Sequence, residues 1–171
     1  TLAGLANYRA IRAARTSQPP PPTVTSVLDQ QYFRLTGGQD TGLNENMVLA
    51  EAQKTGLELG GPTWMDAVWA SVRYDQATCR SLVALFGALY LGVELPVAAQ
   101  NQAVWTVTTG RNGAPGGWVG HCLLWSGWGK DGYDELVTWG GVQPAEEDWL
   151  PKYGDEFHVI VDADSAAVAN V

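Results

Sequence analysis

The spacing of apolar residues changes period near Gly60, and that change restricts the fold more than any other feature of the chain. Before it, apolar positions recur every three and four residues, the spacing of amphipathic helices. Leu2, Leu5, Ala6, Tyr8 and Ile11 predict a helix over residues 1–15, which the proline run at 19–22 ends with a stiff connector. A second helix is predicted from Thr23 or Thr25 through Leu28 and Tyr32 to Leu35. Asn44 then caps a third, through Met47, Val48 and Ala52, that Gly56 stops.

After Gly60 the period falls to two. Val68, Ala70 and Val72 alternate with Trp69, Ser71 and Arg73, which predicts a strand over 67–74. A helix over 76–86 stopped by Gly87 and an apolar strand over 88–95 come next. A short strand is predicted at 104–107, then a glycine-rich loop over 110–117. Residues 118–128 and 133–139 predict a long hairpin turning at Lys130, Asp131 and Gly132. Pro144 suits the first turn of a short helix through Trp149, and residues 156–161 predict the last strand. Helices first and antiparallel strands later predict an α+β class. The 171 residues fit a single domain, helical over 1–60 and mostly β over 61–171.

Composition narrows the function. The net charge is −8, and ten acids crowd residues 131–171 against Lys152 alone. Such a surface disfavours nonspecific nucleic-acid binding and anionic membranes, and suits basic peptides slightly better than acidic ones. No apolar run reaches the ~20 residues of a membrane span, and no basic-then-apolar leader opens the chain. A start at Thr1 without Met, on a helix with no visible cap, predicts that the natural chain continues upstream. Two cysteines, Cys79 and Cys122, make neither a disulfide framework nor a zinc cage, and no run of oxygen ligands suits calcium. No cofactor and no metal are therefore expected. Arg9, Arg12 and Arg15 read as a solvated helix face, Asp40 as a turn residue, and Asp131, Asp134 and Glu135 as solvated turn acids.

With two histidines, general acid–base chemistry near neutral pH has two candidates. His158 alternates with Phe157 and Val159 and reads as a strand-face residue. His121 stands in Gly116-Gly117-Trp118-Val119-Gly120-His121-Cys122, among small residues that leave its backbone open; a packed core histidine beside a bulge is the plainer reading. Sixteen residues on, the expected partner strand begins Val137-Thr138-Trp139-Gly140.

At this hairpin the chain resembles the papain-like cysteine peptidase superfamily. Gly120-His121-Cys122-Leu123 is similar to the strand that carries the catalytic His. Thr138-Trp139-Gly140 is similar to the last three positions of the Asn-Ser-Trp-Gly strand. Residues 35–42, and Trp149 with Lys152-Tyr153-Gly154-Asp155-Glu156-Phe157, look like a little-characterised bacterial and phage branch, so the resemblance spans nearly the whole chain. It implies a two-lobe fold, N-terminal helices packed on a C-terminal antiparallel β half-barrel. It also implies a thiol hydrolase of peptide, amide or thioester bonds, with His121 as general base and Trp139 shielding the site. The nucleophilic Cys at the N-terminus of the central helix would fall just before Thr1, with an oxyanion-hole Gln earlier still.

The Asn position aligns with Val137, which holds no imidazole. Thr138 is the orienter candidate if the hairpin loop has even length; an odd loop or a bulge reverses the faces. A backbone carbonyl or the Asp155/Glu156 pair are further options. Cys122 points away from its neighbour His121, Cys79 has no His near it in sequence, and Thr1 opens a helix rather than a strand, so none is favoured as nucleophile. Two other readings compete: acyl transfer or cyclisation on the same scaffold, and a non-catalytic papain-like binding module. Trp118, Trp125, Trp128, Trp139 and Trp149 gather at the hairpin and its flank, either as core or as the floor of a groove.

Overall fold

The computed structural model describes residues 1–65 and 68–161. Three helices come first: α1 (Leu2–Arg15), α2 (Thr25–Leu35) and α3 (Glu45–Lys54). Strand β1 (Val68–Ser71), helix α4 (Gln76–Phe86) and strand β2 (Leu89–Leu95) follow, then β3 (Val119–Trp128), β4 (Asp134–Thr138), β5 (Gly141–Ala145), α5 (Trp149–Tyr153) and β6 (Gly154–Val161). The strands form one antiparallel sheet in the order β1-β6-β2-β3-β4-β5. The α+β class expected from the period change is the class observed. The sheet is open, with β1 and β5 at its edges, rather than closed into a barrel.

Local chemistry accounts for the boundaries. Asn44 Oδ1 accepts from the Met47 amide at 3.1 Å, and Asp75 Oδ1 from the Thr78 amide at 2.9 Å, so α3 and α4 begin on side-chain caps. Gly87 ends α4 in the left-handed region at φ 93°, where a Cβ would be strained. Thr1 occupies the N-cap position of α1 without a side-chain bond, one residue later than the cap expected from the sequence.

Each sheet face is covered. On one side, Leu89, Leu91 and Val93 of β2, Leu123 and Trp125 of β3, and Phe157 and Val159 of β6 pack with Cys79 and Val83 of α4 and Trp149, Leu150 and Tyr153 of α5. On the other, Tyr90, Leu124 and Ile160 meet Leu2, Leu5 and Tyr8 of α1 and Val48, Leu49 and Ala52 of α3. Alternation along each strand sends successive side chains to the two cores. No helix among the described residues is long and apolar enough to cross a membrane.

Several expectations are corrected. The strand predicted at 67–74 is confined to Val68–Ser71, and its expected first residue, Ala67, lies outside the described residues. Val68 is 62% exposed, because β1 is an edge strand. Residues 104–107 form no strand: Trp105 makes one parallel bridge to Ala145, donating its amide to the Pro144 carbonyl. Pro144 opens no helix but lies in β5, an edge strand that tolerates a residue without an N–H. Arg15 is exposed, as expected, but Arg12 does not sit on a solvated face. Arg12 is buried, with Nη1 3.5 Å from the Phe86 carbonyl, and Arg15 Nη2 donates to the Ala84 carbonyl at 2.6 Å. They meet the last carbonyls of α4, where the helix dipole favours cations. Asp134 is no solvated turn acid: it is wholly buried, 3.1 Å from Arg80 Nη2. Asp131 does serve the turn, accepting from the Tyr133 amide.

Candidate active site at the β3–β4 hairpin

The imidazole of His121 is placed by three contacts, each traceable to a strand position. β3 pairs with β2 so that His121 faces Val93, between Gly120 opposite Glu94 and Cys122 opposite Gly92. On the other side β3 pairs with β4, Leu124 opposite Val137 and Trp125 opposite Leu136. In that register Thr138 shares the face of His121, and Val137 turns to the opposite core, packing with the α1 and α3 residues. His121 Nε2 lies 2.7 Å from Thr138 Oγ1. With the proton on Nε2 the ring donates to the hydroxyl and Nδ1 presents a lone pair. The Asp155/Glu156 pair does not take the orienting place: Glu156 Oε2 is 3.2 Å from His158 Nε2 instead.

Trp139 stacks on the ring, with centroids 4.3 Å apart and planes at 17°. It reaches that position from a two-residue turn: Thr138 pairs with Gly141, and both intervening residues have positive φ, Trp139 at 43° and Gly140 at 78°. This is the twist that tight hairpins favour. A left-handed tryptophan costs about 1–2 kcal/mol, and its ring is 62% exposed. The indole lies on His121 and 5.5 Å from the Trp118 ring, so this residue combines backbone strain with little burial.

His121 opens onto a cleft of about 800 Å³ at the end of the sheet. Thr1 at the head of α1, Asn44 and Glu45 at the head of α3, and residues 41–43 line one wall; Gly92, Gly120, Cys122, Asp155 and Glu156 line the other. The loop before α3 is tied down, since Tyr32 Oη donates to Asp40 Oδ1 at 2.6 Å and accepts from the Gly42 amide at 3.0 Å. Asp40 is a loop residue, as expected, though its carboxylate anchors the loop to α2. Glu45 is a cleft residue the sequence reading passed over. Its position just after the Asn44 cap was the available signal, because a helix N-terminus attracts carboxylates.

Burial pushes the His121 pKa down to about 4, with the Thr1 ammonium a lesser cause. The ring is thus neutral near pH 7, the form that accepts a proton. Burial drives the Cys122 thiol the other way, up to about 12, and its side chain lies toward Tyr90 and Gly4 of α1. Cys79 is fully buried within the α4 core and its pKa is also raised by burial. Neither thiol is activated for attack. His158 is wholly buried between Ser71, Glu156 and Trp69. Among the described residues no group of three or more His, Cys, Asp or Glu could hold a metal.

No family model matches the chain, and no curated protein matches it. Among solved structures, xylellain, a cysteine protease from Xylella fastidiosa, superimposes on 95% of this chain and 78% of its own with a TM-score of 0.73, at 12% sequence identity. A match of that extent at so low an identity speaks to architecture: the chain has the mixed helical and antiparallel-sheet fold of the papain-like cysteine proteases.

Proposed function

We propose that this chain is the base-carrying part of a papain-like cysteine hydrolase, of the bacterial and phage branch that residues 35–42 and 149–157 resemble. It would act on peptide, amide or thioester bonds. The observation that carries the reading is His121, half-buried, bonded through Nε2 to Thr138, stacked on Trp139, and sharing a cleft with the N-terminal end of α1. The nucleophile is a cysteine immediately preceding Thr1. There the positive end of the α1 dipole lowers a thiol pKa, and a peptide bond replaces the Thr1 ammonium that depresses His121.

In this reading His121 Nδ1 takes the thiol proton and the thiolate attacks the substrate carbonyl carbon. The tetrahedral adduct collapses to a thioester as the bond to the leaving amine breaks, and the imidazolium returns its proton to that amine. A water then attacks the thioester with His121 again as base, releasing the acid and restoring the thiol. Thr138 accepts from Nε2–H throughout, replacing the carbonyl oxygen that an Asn would bring. Trp139 keeps water off one ring face.

The test is the chain produced with the ten residues encoded before Thr1. The expected result is a cysteine among them, with a glutamine a few positions earlier, labelled by a thiol-directed acyl probe. His121→Ala should abolish that labelling. Absence of the cysteine would leave a binding module, and undiminished labelling of His121→Ala would mean that the thiol acts without this base. Offering an activated acyl donor with and without an amine separates hydrolysis from transfer.

A further inference from the structure

The connector between α1 and α2 has its conformation dictated by residue type. Pro19, Pro20, Pro21 and Pro22 each fix φ at about −65°, and a residue before a proline is pushed out of the helical region. Gln18, Pro19, Pro20 and Pro21 all precede a proline, so the run is a left-handed polyproline helix about 12 Å long. Four successive residues lack an N–H, and among the described residues no backbone amide bonds the carbonyls of residues 19–23. The run therefore offers rings and free acceptors.

Both of its ends are fixed. Ser17 takes the left-handed region at φ 56°, and the Ser17 and Gln18 amides donate to the Ala14 and Ala13 carbonyls at 3.2 and 2.8 Å. Those bonds close α1 and throw the chain outward. At the other end Gly60, at φ 99°, leaves room for the Pro22 carbonyl, since a Cβ there would stand 3.0 Å from its oxygen. Between the anchors Pro19, Pro20, Pro22 and Thr23 are exposed and Pro21 is half-buried. With three residues per turn, Pro19 and Pro22 share one solvent-facing ridge, Pro20 and Thr23 a second, and Pro21 takes the inner one.

The charge beside the run is positive. Residues 1–34 carry four arginines against Asp29, in a chain whose net charge is −8. A Cβ at Gly61 would stand 3.4 Å from Arg9 Nη2 and 3.4 Å from Pro22 Cδ, so the Arg9 guanidinium flanks the end of the run. Burial holds Arg9 below its ordinary range, and no carboxylate opposes that shift. Arg15, four residues before Pro19, is exposed and held by the Val83 and Ala84 carbonyls at 3.4 and 2.6 Å. Among the described residues neither Arg9 nor Arg15 forms an ion pair.

We propose that the proline run at 19–22 is a docking segment for a partner protein whose groove is lined by aromatic side chains and rimmed by acids. The aromatic rings stack on the pyrrolidines, their N–H and O–H groups donate to the free carbonyls, and the acids meet Arg15 and Arg9. Little ordering entropy is lost, because the helix is formed before the partner arrives. The run follows the C-terminal end of α1, about 21 Å of helix from Thr1 and the cleft, so a docked partner leaves His121 open. The proposal goes beyond the hydrolase reading and does not depend on it.

The experiment sets the full chain against an array of purified SH3 and WW domains, with affinities read by calorimetry. Acid-rimmed members should bind, and Pro19→Ala/Pro20→Ala/Pro22→Ala should weaken them by about tenfold or more as the preformed helix is lost. Arg15→Gln should weaken them severalfold and flatten the loss of affinity with salt. The His121→Ala chain should bind as the native chain does. Denaturation midpoints show whether the triple variant is folded, and Pro20→Ala, a single exposed substitution, carries the test if it is not. No binding by any domain, or equal binding of the native chain and the proline variants, overturns the proposal and leaves the run a connector. Binding that follows Arg15→Gln but ignores the proline variants overturns it as unspecific charge attraction. Self-association in ultracentrifugation, abolished by the proline variants and by Trp139→Ala alike, overturns it by assigning the run to the exposed Trp118 and Trp139 rings of a second copy.

Discussion

The two ends of one hairpin use polar residues in opposite ways. At the end near the turn, Asp134 opens β4 fully buried, with Arg80 of α4 3.1 Å away and the Arg80 guanidinium lying 5.4 Å above the Trp128 ring. Each charge there has its partner within the chain. At the far end, where Thr138 closes β4 beside β3, His121 of β3 is half-buried, bonded to that neutral hydroxyl and covered on one face by an exposed, strained tryptophan. One ring nitrogen is left to face a cleft. Removing a polar partner is expected to harm folding at the first end, whereas under the proposed function chemistry depends on the second. A buried polar residue is a functional candidate when the chain leaves part of its bonding capacity facing open space.

The sharpest way to break that contrast is to cut each end separately. Asp134→Ala strands Arg80 and should cost roughly 3 kcal/mol of stability, in line with broken buried pairs. His121→Ala should cost less than about 1 kcal/mol. Urea titration of both variants measures the difference, and equal losses would erase the distinction between the two ends. Next in size, Thr138→Val keeps the shape of the side chain and removes the hydroxyl. Reactivity of the extended chain toward an acyl probe should fall about tenfold, the worth of one neutral hydrogen bond, with the denaturation midpoint moving little. A large stability loss without a kinetic effect would put Thr138 with Asp134 instead.

Smaller effects test the aromatic cover. Trp139→Gly relieves a left-handed tryptophan while removing the stacked ring, so net stability should change by less than about 1 kcal/mol. The His121 pKa should climb from about 4 back toward 6.5 as burial is lost, read by titrating its ring protons. A pH slope reads the same burial without touching the cover. The folded state favours the neutral ring, so between the ordinary 6.5 and about 4 the unfolded chain binds more protons. Stability contributed by this group is therefore whole above that window and is lost as pH falls through it. His121→Gln should flatten the slope. A chain whose stability over that range ignores the substitution would mean that His121 is solvated.

Much of this was legible beforehand where the cause is local. Asn44 and Asp75 cap helices because their side chains reach amides three residues on, and such bonds are written in the sequence. So is the alternation that gives β2, β3 and β6 their two faces. The burial of Arg12 and Asp134, and the carbonyl that exposed Arg15 meets, escape a reading by spacing for the converse reason. The carbonyls that the arginines meet are some seventy residues away, and the partner of Asp134 is Arg80, 54 positions earlier. Charged side chains default to solvent in any reading by spacing, and only packing reveals a distant partner. Residues 104–107 failed for a related reason: one bridge to β5 satisfies Trp105 on both sides, and no ladder follows.

What the sequence determined by itself is the run of helices α1 to α4, the alternation of β2, β3, β4 and β6, and the placing of His121 and Thr138 on neighbouring strands. What only the tertiary structure decided is the face each presents. The hairpin loop between Trp128 and Asp134 holds five residues, an odd number that alone would turn Thr138 away from His121. The register then shifts between Trp125 and Gly127, where Ser126 is the extra residue. Loop and bulge each flip the parity of a structure whose side-chain period is two, and together they cancel. Thr138 thereby comes to the imidazole and Val137 to the core. Neither shift is encoded by residue type, because both follow from how the strands twist and pack against the helices that cover them.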